Sequence, residues 1–470
     1  MKIRKTVYIL SYATVLSMLI GGCKSADVSK NPADTQTQVT SVTEETELLE
    51  EIEPAVEEAV EEEKNAEEMM AEDDTPALRD SYELGGYIGC AVTGNEIDDE
   101  GVWNIITKHF NAVTLGNELK PDAIFKYSND RCPGTQMVEL NGEEIEVPVM
   151  SFARAERILN RIYDWNEANP DRKIMVRGHV LVWHSQTPEW FFHENYNKRD
   201  PYVSKEEMDK RLEWYIKAMF EHFFSTDSKY KDMFYGWDVV NEAVSDKGGY
   251  RTDEEKPSEP LSNNTHSTNS SWWHVYQSNE YIINAFKYAN KYAPSELELY
   301  YNDYNETEIV KRNGIVDLLT AVKEAEGEPG VGTRISGMGM QGHYGMDQPS
   351  TSNVDYSIKE YSKIVDSVQI TEFDMTASDS FDGSDESKEE EYEKQRKRYN
   401  VLYFSIKSAA SDPDVNVTGI TFWGTVDQYS WLQNRSDLGG GNKSGLKCCP
   451  LLFDENYKAK PCFYVFASKK

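Results

Sequence analysis

The sequence alternates short apolar runs with longer segments of helical periodicity, and this alternation constrains the fold more than any other feature. We predict eight strands, at 87–92, 112–115, 174–182, 234–240, 297–302, 335–341, 367–371 and 417–423. The segments between them are amphipathic, as in 208–223, where Leu212 and Ile216 lie four residues apart on one face. Eight strands that each precede a helix predict an α/β fold, a (β/α)8 TIM barrel with its active site at the carboxyl ends of the strands. A doubly wound open sheet is the structural alternative.

The first 22 residues have the pattern of a signal peptide. A basic start at 2–5 precedes an apolar core at 7–20, which is too short for a comfortable membrane span. The small residues before Cys23 resemble the cleavage site of bacterial lipoproteins. That resemblance implies that residues 1–22 are a lipoprotein signal peptide, that Cys23 is lipidated, and that the exported chain is anchored to a membrane at the cell surface. An ordinary secretory signal with a chance cysteine is the alternative.

Residues 23–79 form an acidic, low-complexity linker. Between 24 and 79 the chain has 18 acidic and 4 basic residues and almost no aromatic side chain. Charge of that density repels itself and cannot support a core, so we predict a disordered acidic stalk that holds the next domain away from the membrane. A regulatory or partner-binding tail is the alternative.

Residues 80–470 are predicted to form one catalytic domain, since 391 residues suffice for a large barrel with a packed core. The whole chain has a formal net charge of −33, and the stalk accounts for less than half of it. The domain is therefore acidic and repelled by phosphate backbones, which excludes nucleic acid and the anionic membrane surface as its ligands. The 10 Trp and 28 Tyr residues favour sugar rings as ligands. We expect a monomer without a cofactor.

Two of the predicted strands lead into a glutamate. The run Trp-Asp-Val-Val-Asn precedes Glu242 after strand four, and Ile-Thr precedes Glu372 after strand seven. In a closed barrel the ends of these strands can face each other over a cleft. Two glutamates in such a cleft suit acid/base and nucleophilic chemistry on a glycosidic bond. The alternative is that each carboxylate only pairs with a neighbouring Arg or Lys.

Further polar and aromatic side chains gather at the ends of the other strands. They are Asn117 and Lys120 after strand two, His179, Trp183 and Gln186 at strand three, Gln341 and His343 at strand six, and Trp423 and Trp431 at strand eight. Taken singly, a buried His or Trp is more often part of a core. Their concentration at one end of the barrel indicates a binding cleft.

Neither a metal site nor a dinucleotide site is indicated. His179 and His184 begin on opposite faces of an extended run, which argues against a metal-binding pair. Residues 337–342 fit the pattern G-x-G-x-x-G, but no amphipathic helix opens at the third glycine. The cysteines have no zinc-like spacing, and the sequence leaves their disulfide pairing open; besides Cys23 they are Cys90, Cys132, Cys448, Cys449 and Cys462.

Six stretches resemble the motifs of glycoside hydrolase family 10 endo-β-1,4-xylanases, and they follow one another in order within about 89 to 466. They are Asn-Glu-Leu-Lys at 117–120, Gly-His-Val-Leu-Val-Trp-His-Ser-Gln-Thr-Pro at 178–188, Trp-Asp-Val-Val-Asn-Glu at 237–242, Tyr-Tyr-Asn-Asp-Tyr-Asn at 300–305, Gln-Gly-His at 341–343 and Ile-Thr-Glu at 370–372. The combination is highly specific. The resemblance implies hydrolysis of xylan and xylo-oligosaccharides with retention of configuration.

The resemblance also implies roles for individual residues. Glu242 is expected to act as acid/base, starting protonated, and Glu372 as nucleophile. Asn241 and His343 are expected to support them, with Asp374 behind His343. The sugar subsites on the non-reducing side are expected to be lined by Asn117, Lys120, His179, Trp183, Gln186, Gln341, Trp423 and Trp431. Tyr304 is expected nearer the leaving side.

The sequence also departs from the family pattern. Gly116 stands where many members have a glutamate before the asparagine. Loops are long at 127–150, 245–271 and 376–398, and the last contains an acidic run at 385–391 that we interpret as a solvated helix face rather than a metal site. These differences leave open which substrate length and which side-chain decorations the site accepts.

Two rival hypotheses are a cellulase of a related barrel family and a lipid-anchored sugar-binding protein without catalysis. The cellulases are expected to have a proline after the acid/base glutamate, whereas Ala243 follows Glu242. A protein that only binds sugar does not need the intact pair of carboxylates.

Overall fold

The computed structural model describes residues 75–126, 128, 130–256, 259, 268–378, 380–434 and 446–467. The expected signal peptide, the lipidation site Cys23 and the stalk up to residue 74 lie outside these residues. Within the described residues, no helix combines the length and the apolar character that crossing a membrane requires.

The described chain alternates strands and helices. The strands are β1 Tyr87–Val92, β2 Ala112–Leu115, β3 Thr135–Leu140, β4 Glu143–Pro148, β5 Met175–Gly178, β6 Val182–Trp183, β7 Phe234–Asn241, β8 Glu298–Asp303, β9 Gly337–Met340, β10 His343–Tyr344, β11 Ser367–Met375 and β12 Val417–Phe422. The α-helices are α1 Leu78–Ser81, α2 Glu100–His109, α3 Pro121–Ile124, α4 Ala153–Ala168, α5 Lys205–Phe224, α6 Ser271–Tyr276, α7 Glu280–Tyr292, α8 Ile309–Glu324, α9 Thr351–Ser362, α10 Asp385–Ala410 and α11 Phe463–Phe466. Short 3₁₀ turns lie at Pro170–Arg172, Glu189–Phe192, Glu194–Tyr196, Asp427–Tyr429 and Trp431–Asn434.

Eight parallel strands close into a barrel. They follow the order β1, β2, β5, β7, β8, β9, β11 and β12, and β12 pairs back onto β1 with Tyr87 opposite Gly419. Because the last strand pairs with the first, the main sheet has no free edge. The predicted (β/α)8 TIM barrel is thus confirmed, and the open-sheet alternative is wrong.

The outer helices bury one face against this barrel. In α5 the side chains of the predicted stripe, including Leu212 and Ile216, are fully buried. Burial of such a side chain stabilises the fold by about 1.5–3 kcal/mol. The helix begins after Ser204, whose hydroxyl accepts a hydrogen bond from the Glu207 backbone N–H at 3.2 Å.

Two strand boundaries differ from the prediction in ways that shape the cleft. The run predicted at 174–182 is divided into β5 and β6, because the Leu181 N–H bonds to the Asp238 carbonyl at 3.1 Å and the residues between leave the ladder. The strand predicted at 367–371 continues to Met375, since β10 pairs with its end, His343 opposite Asp374. Glu372 therefore lies within β11 rather than after it.

The region predicted as a long loop at 127–150 contains an antiparallel hairpin, β3–β4. Asn141 and Gly142 form its turn with φ of 54° and 88°, as the Asn-Gly pair favours. The tip is fixed to α5 by Asn141 Nδ2, which donates to Glu213 Oε2 at 2.9 Å. One face of the hairpin is apolar, since Val138 is opposite Ile145 and the neighbouring Leu140 and Val147 are buried. This alternation on either side of Asn-Gly is typical of a hairpin, a signal that the loop prediction did not use.

The acidic run at 385–391 opens α10, which begins after the capping residue Ser384. Acidic side chains near a helix N-terminus are favoured by the helix dipole. Most of the run faces solvent as predicted, but Glu391 is buried and accepts a hydrogen bond from the Ser378 N–H at 2.7 Å.

Candidate active site

Glu242 directly follows β7 at the carboxyl end of the barrel. Its backbone is in the left-handed region, with φ of 57°. Its N–H donates to the Asn302 carbonyl of the neighbouring β8 at 2.9 Å. The conformation turns the chain out of the strand at this residue, so the half-buried side chain emerges at the barrel rim.

Three donors surround the carboxyl group of Glu242. Oε2 accepts from the indole Nε1 of Trp183 at 2.9 Å. Oε1 accepts from Asn241 Nδ2 at 3.1 Å and from Gln341 Nε2 at 3.0 Å. Trp183 and Asn241 are brought together by the pairing of β6 with β7, in which they are opposite each other.

Glu372 is 5% exposed in the middle of β11. Oε1 accepts from Asn302 Nδ2 at 2.8 Å, and Oε2 lies 3.1 Å from His343 Nε2. Burial raises the pKa of Glu372, but the hydrogen bond from His343, the charges of His179 and His343, and the bond from Asn302 outweigh it, so the pKa lies below its usual value. The carboxylate is therefore held ionised.

One amide network joins the two carboxyl groups. Asn302 Nδ2, which bonds to Glu372, also donates to Asn241 Oδ1 at 2.9 Å. Gln341 Nε2, which bonds to Glu242, also donates to Asn241 Oδ1 at 3.2 Å. Asn241 and Asn302 are opposite each other in the pairing of β7 and β8, so the register of the barrel strands fixes the network.

His343 lies between two carboxylates. Its Nδ1 is 2.8 Å from Asp374 Oδ1, and its Nε2 faces Glu372. Burial lowers the pKa of His343, but the charges and hydrogen bonds of Asp374 and Glu372 raise it to about 10. At neutral pH both ring nitrogens are thus protonated, and each donates to one carboxylate.

Lys120, Asn117 and Gln186 form a cluster at one side of the cleft. Lys120 Nζ donates to Asn117 Oδ1 at 3.2 Å and to Gln186 Oε1 at 3.1 Å, and it lies 5.1 Å from the centre of the Trp183 ring. Burial lowers the pKa of Lys120, while the charges of Glu372, Asp122 and Glu242 oppose that shift. The cluster supplies polar atoms beside an aromatic face, which suits a sugar ring.

Near Glu372 the cleft is lined by His179, Trp423 and Trp431. The rings of His179 and Trp423 have centroids 5.4 Å apart, and Trp431 lies 5.2 Å from the ring of His343. His179 is oriented from behind by Asp238, whose Oδ2 is 2.9 Å from Nδ1. Trp431 is 38% exposed, so its ring is available to a ligand.

Tyr304 forms no hydrogen bond with the carboxyl group of Glu242 or of Glu372. Its hydroxyl accepts from Arg251 Nη2 at 3.1 Å and donates to Asp246 Oδ2 at 3.3 Å. Lys311 Nζ lies 3.4 Å from the centre of its ring. The other predicted site residues lie in the hydrogen-bonded and aromatic clusters described above. Tyr304 is connected to Glu242 through Arg251, which donates to the Glu242 carbonyl.

The described residues contain no group of three or more His, Cys, Asp or Glu side chains that could hold a metal ion. Their cysteines are free thiols: Cys90, Cys132, Cys448, Cys449 and Cys462.

The model of glycosyl hydrolase family 10 matches residues 77–469. The chain belongs to this family. The match covers the whole barrel, including both cleft glutamates, and it begins beside α1, where Leu78 is fully buried.

Named relatives of this family 10 chain include xylanases of different length. It is 31% identical to a bifunctional endo-1,4-beta-xylanase of Ruminococcus flavefaciens, over 82% of this chain and 33% of that protein. It is 31% identical to endo-1,4-beta-xylanase B of Paenibacillus barcinonensis, over 83% of this chain and 97% of the relative. The chain thus spans a third of the first relative and nearly all of the second.

Solved structures of the family have the same barrel. The endo-1,4-beta-D-xylanase 10B of Clostridium thermocellum, solved in complex with xylohexaose, is 30% identical. It superimposes with a TM-score of 0.65 over 83% of this chain and 67% of that one. In this family 10 structure the ligand is a chain of xylose units.

Four residues of the site were missing from the sequence-based prediction: Arg177, Asp238, Arg251 and Asn302. Asp238 bonds to both Arg177 and His179, and all three are at most 2% exposed. A lone Asp within an apolar strand was a signal that a buried partner exists. Asn302 lay within a recognised motif. Arg251 gave no signal, because most of its partners are backbone carbonyls.

Proposed function

We propose that this chain is an endo-β-1,4-xylanase that hydrolyses internal β-1,4-xylosidic bonds of xylan with retention of configuration. The observation that carries the proposal is the pair Glu242 and Glu372, joined by one amide network at the open end of a family 10 barrel. Relatives named endo-1,4-beta-xylanase, at about 31% identity over the barrel, support it.

In the first half of the reaction Glu372 is the nucleophile. Its ionised Oε atom attacks the anomeric carbon, and the glycosidic C–O bond breaks with its electron pair moving to the leaving oxygen. Glu242 gives its proton to that oxygen. His343 and Asn302 hold Glu372 in place by the hydrogen bonds they donate, which preserves its charge until attack.

In the second half the same groups act in reverse. Glu242, now ionised, removes a proton from water, and the water oxygen attacks the anomeric carbon. The bond to Glu372 breaks, and the carboxylate is restored. Two inversions at one carbon give net retention. Trp183 and Gln341 donate to Glu242 and keep its carboxyl group directed at one position through both steps.

The side chains around the carboxylates suit a chain of pentose rings. On the non-reducing side, we assign Lys120, Asn117 and Gln186 to sugar hydroxyls, and the rings of Trp423 and Trp431 to sugar faces. Tyr304, behind Arg251, belongs to the leaving side. Asn241 is assigned to the 2-hydroxyl, a contact that strengthens in the transition state.

The test is a product profile on arabinoxylan, glucuronoxylan and carboxymethylcellulose, with the Glu372→Ala variant as control. We expect short xylo-oligosaccharides from both xylans, no products from the cellulose derivative and no products from the variant. Release of cello-oligosaccharides from carboxymethylcellulose would instead identify a cellulase. Tight binding of xylan without product from the natural chain would identify a sugar-binding protein.

We also propose that the enzyme is an exported lipoprotein. This proposal rests on the basic and apolar start of the sequence, the cysteine at 23 and the acidic stalk. That it acts as a monomer remains an expectation. Cys23→Ser is expected to move the enzyme from the membrane fraction to the medium or to leave it unprocessed. A chain that starts near residue 75 should keep its turnover on soluble xylan; a large loss would mean that the stalk contributes to the active site.

A further inference from the structure

Arg251 lies in the loop after β7 and is 3% exposed. Its guanidinium binds this loop from within: Nε donates to the Glu242 carbonyl at 2.9 Å, and Nη2 donates to the Val244 carbonyl at 3.4 Å. Nη1 donates to the Thr268 carbonyl at 3.2 Å. The Arg251 backbone N–H also bonds to the Ala243 carbonyl at 2.8 Å. These bonds place the three carbonyls of residues 242–244 around one arginine.

The backbone of Glu242 needs such support. A non-glycine residue with positive φ persists only where its surroundings determine the conformation. The N–H of Glu242 is fixed by the Asn302 carbonyl on one side, and its carbonyl is fixed by Arg251 on the other. Both peptide groups that flank its Cα atom are therefore held, which sets the direction of the carboxyl group.

The same guanidinium reaches the leaving side of the cleft. Nη2 donates to the Tyr304 hydroxyl at 3.1 Å, and that hydroxyl donates to Asp246. One side chain thus connects the backbone of Glu242 with the aromatic ring expected beside the leaving sugar. Arg251 acts indirectly, because its buried guanidinium donates to carbonyls of the chain and to the Tyr304 hydroxyl.

We infer that Arg251 is a positioning residue for proton donation: it fixes the backbone of Glu242 so that the carboxyl proton points at the leaving oxygen. The inference rests on the proposed function. In the step concerned, Glu372 attacks the anomeric carbon, the glycosidic C–O bond breaks, and the leaving oxygen takes the electron pair together with the proton of Glu242.

The consequence is a selective loss that depends on the leaving group. A poor leaving group, such as a sugar hydroxyl, requires the proton in the transition state, whereas 2,4-dinitrophenolate departs without it. A variant that misdirects Glu242 should therefore lose activity on xylo-oligosaccharides and retain it on an activated aryl glycoside. A general loss of structure lowers both activities together.

The experiment compares kcat/KM of the full chain and its variants on xylotetraose and on 2,4-dinitrophenyl β-xylobioside. Arg251→Met removes all the side-chain donors, and Arg251→Lys keeps the positive charge and restores some of these donors. We expect Arg251→Met to lower kcat/KM on xylotetraose at least about tenfold more than on the aryl glycoside, within the range that general acid catalysis supplies. For Arg251→Lys, the difference between the losses on the two substrates should be smaller than for Arg251→Met.

Arg211 provides the matched control. It is 5% exposed, and its Nη1 binds two backbone carbonyls, those of Phe191 and His193, at 2.8 Å and 2.9 Å. Arg211→Met should lower both activities by the same factor. Equal losses on the two substrates in Arg251→Met and in Arg251→Lys would overturn the inference. The proposed function fails separately, if the natural chain does not cleave xylotetraose.

Discussion

The indole Nε1 of Trp431 donates a hydrogen bond to Oδ2 of Asp374 at 2.7 Å. The other oxygen of Asp374 binds His343, and His343 binds Glu372. A continuous hydrogen-bonded chain thus leads from an exposed aromatic ring of the cleft to the carboxylate assigned as nucleophile. This chain of hydrogen bonds holds the ring of Trp431 and the carboxylate of Glu372 in a fixed position relative to each other.

The first prediction concerns the roles of the two glutamates. In Glu242→Ala, with an activated aryl xyloside, azide should attack the glycosyl-enzyme on the face left open and give the β-glycosyl azide. In Glu372→Ala, azide should enter from the opposite, vacated face and give the α product. Proton NMR of the isolated azides distinguishes the anomers. Interchanged anomers would mean that the two roles are reversed.

The second prediction concerns the pH dependence set by His343. The pKa of Glu372 is lowered, so the reactive carboxylate exists above that value and is lost as the pH falls through it. In the natural chain the acidic limb of kcat/KM should therefore lie below the usual glutamate value of about 4.3. His343→Asn removes the imidazole hydrogen bond and the positive charge that lower the pKa of Glu372, while the contribution of His179 remains. The limb should then move upward by about one pH unit or more.

The control for this variant is His222→Asn. His222 lies on the outer helix α5, paired with Glu156 at 3.1 Å and stacked on Phe152. Its replacement should leave the acidic limb unchanged. An unchanged limb in His343→Asn as well would show that the imidazole does not control the ionisation of Glu372.

The third prediction concerns stability. Asp238 is the counter-ion of Arg177, with Oδ1 at 2.5 Å from Nη2, and both side chains are 1% exposed. Asp238→Asn leaves the guanidinium buried without an opposite charge, so the free energy of unfolding should fall by about 3–5 kcal/mol. Urea denaturation measures it. Asp98→Asn, which breaks an exposed pair with Arg157, is the control and should change stability little. Equal effects would contradict the prediction.

The fourth prediction concerns Gly116. A Cβ atom there would lie 3.1 Å from the Thr93 methyl group and 3.7 Å from the Val92 carbonyl, so a side chain fits after a small shift of that methyl. Gly116→Glu should add a charge-assisted hydrogen bond of about 1.5–3 kcal/mol gross to an unbranched ligand. The new side chain also fills space that a substituent on a branched xylo-oligosaccharide could occupy. We expect kcat/KM to rise for xylotriose and to fall for a substituted oligosaccharide.

Gly134→Glu is the matched control, because it adds the same charge in the hairpin region, where a Cβ atom has nothing within 4 Å. It should leave both kcat/KM values unchanged. If Gly116→Glu changes both by less than about twofold, or about 0.4 kcal/mol, Gly116 is a neutral variant.

Hydrophobic periodicity predicted the barrel because it reports burial along each element. The strand at 87–92 and the stripe of α5 have the expected positions, since apolar runs must be covered on both sides in a parallel barrel. The predicted extent of β11 was wrong. The strand continues through Glu372 to Met375 because its end pairs with β10, and periodicity within one segment does not show a contact with a distant segment. The hairpin β3–β4 was missed for a different reason: its signal was local, an apolar alternation on either side of Asn-Gly, and the prediction treated the whole segment as a loop.

The sequence by itself determined the fold class, the family and the two candidate carboxylates, because these depend on local periodicity and on residue types at fixed spacing. Only the tertiary structure decided which groups hold those carboxylates. Asn302 is 61 residues from Asn241 along the chain but lies opposite it in the β7–β8 pairing. Arg251 acts on Glu242 through a backbone carbonyl, which carries no residue-specific signal. Strand register and backbone conformation, such as the positive φ of Glu242, arise from the closed barrel as a whole.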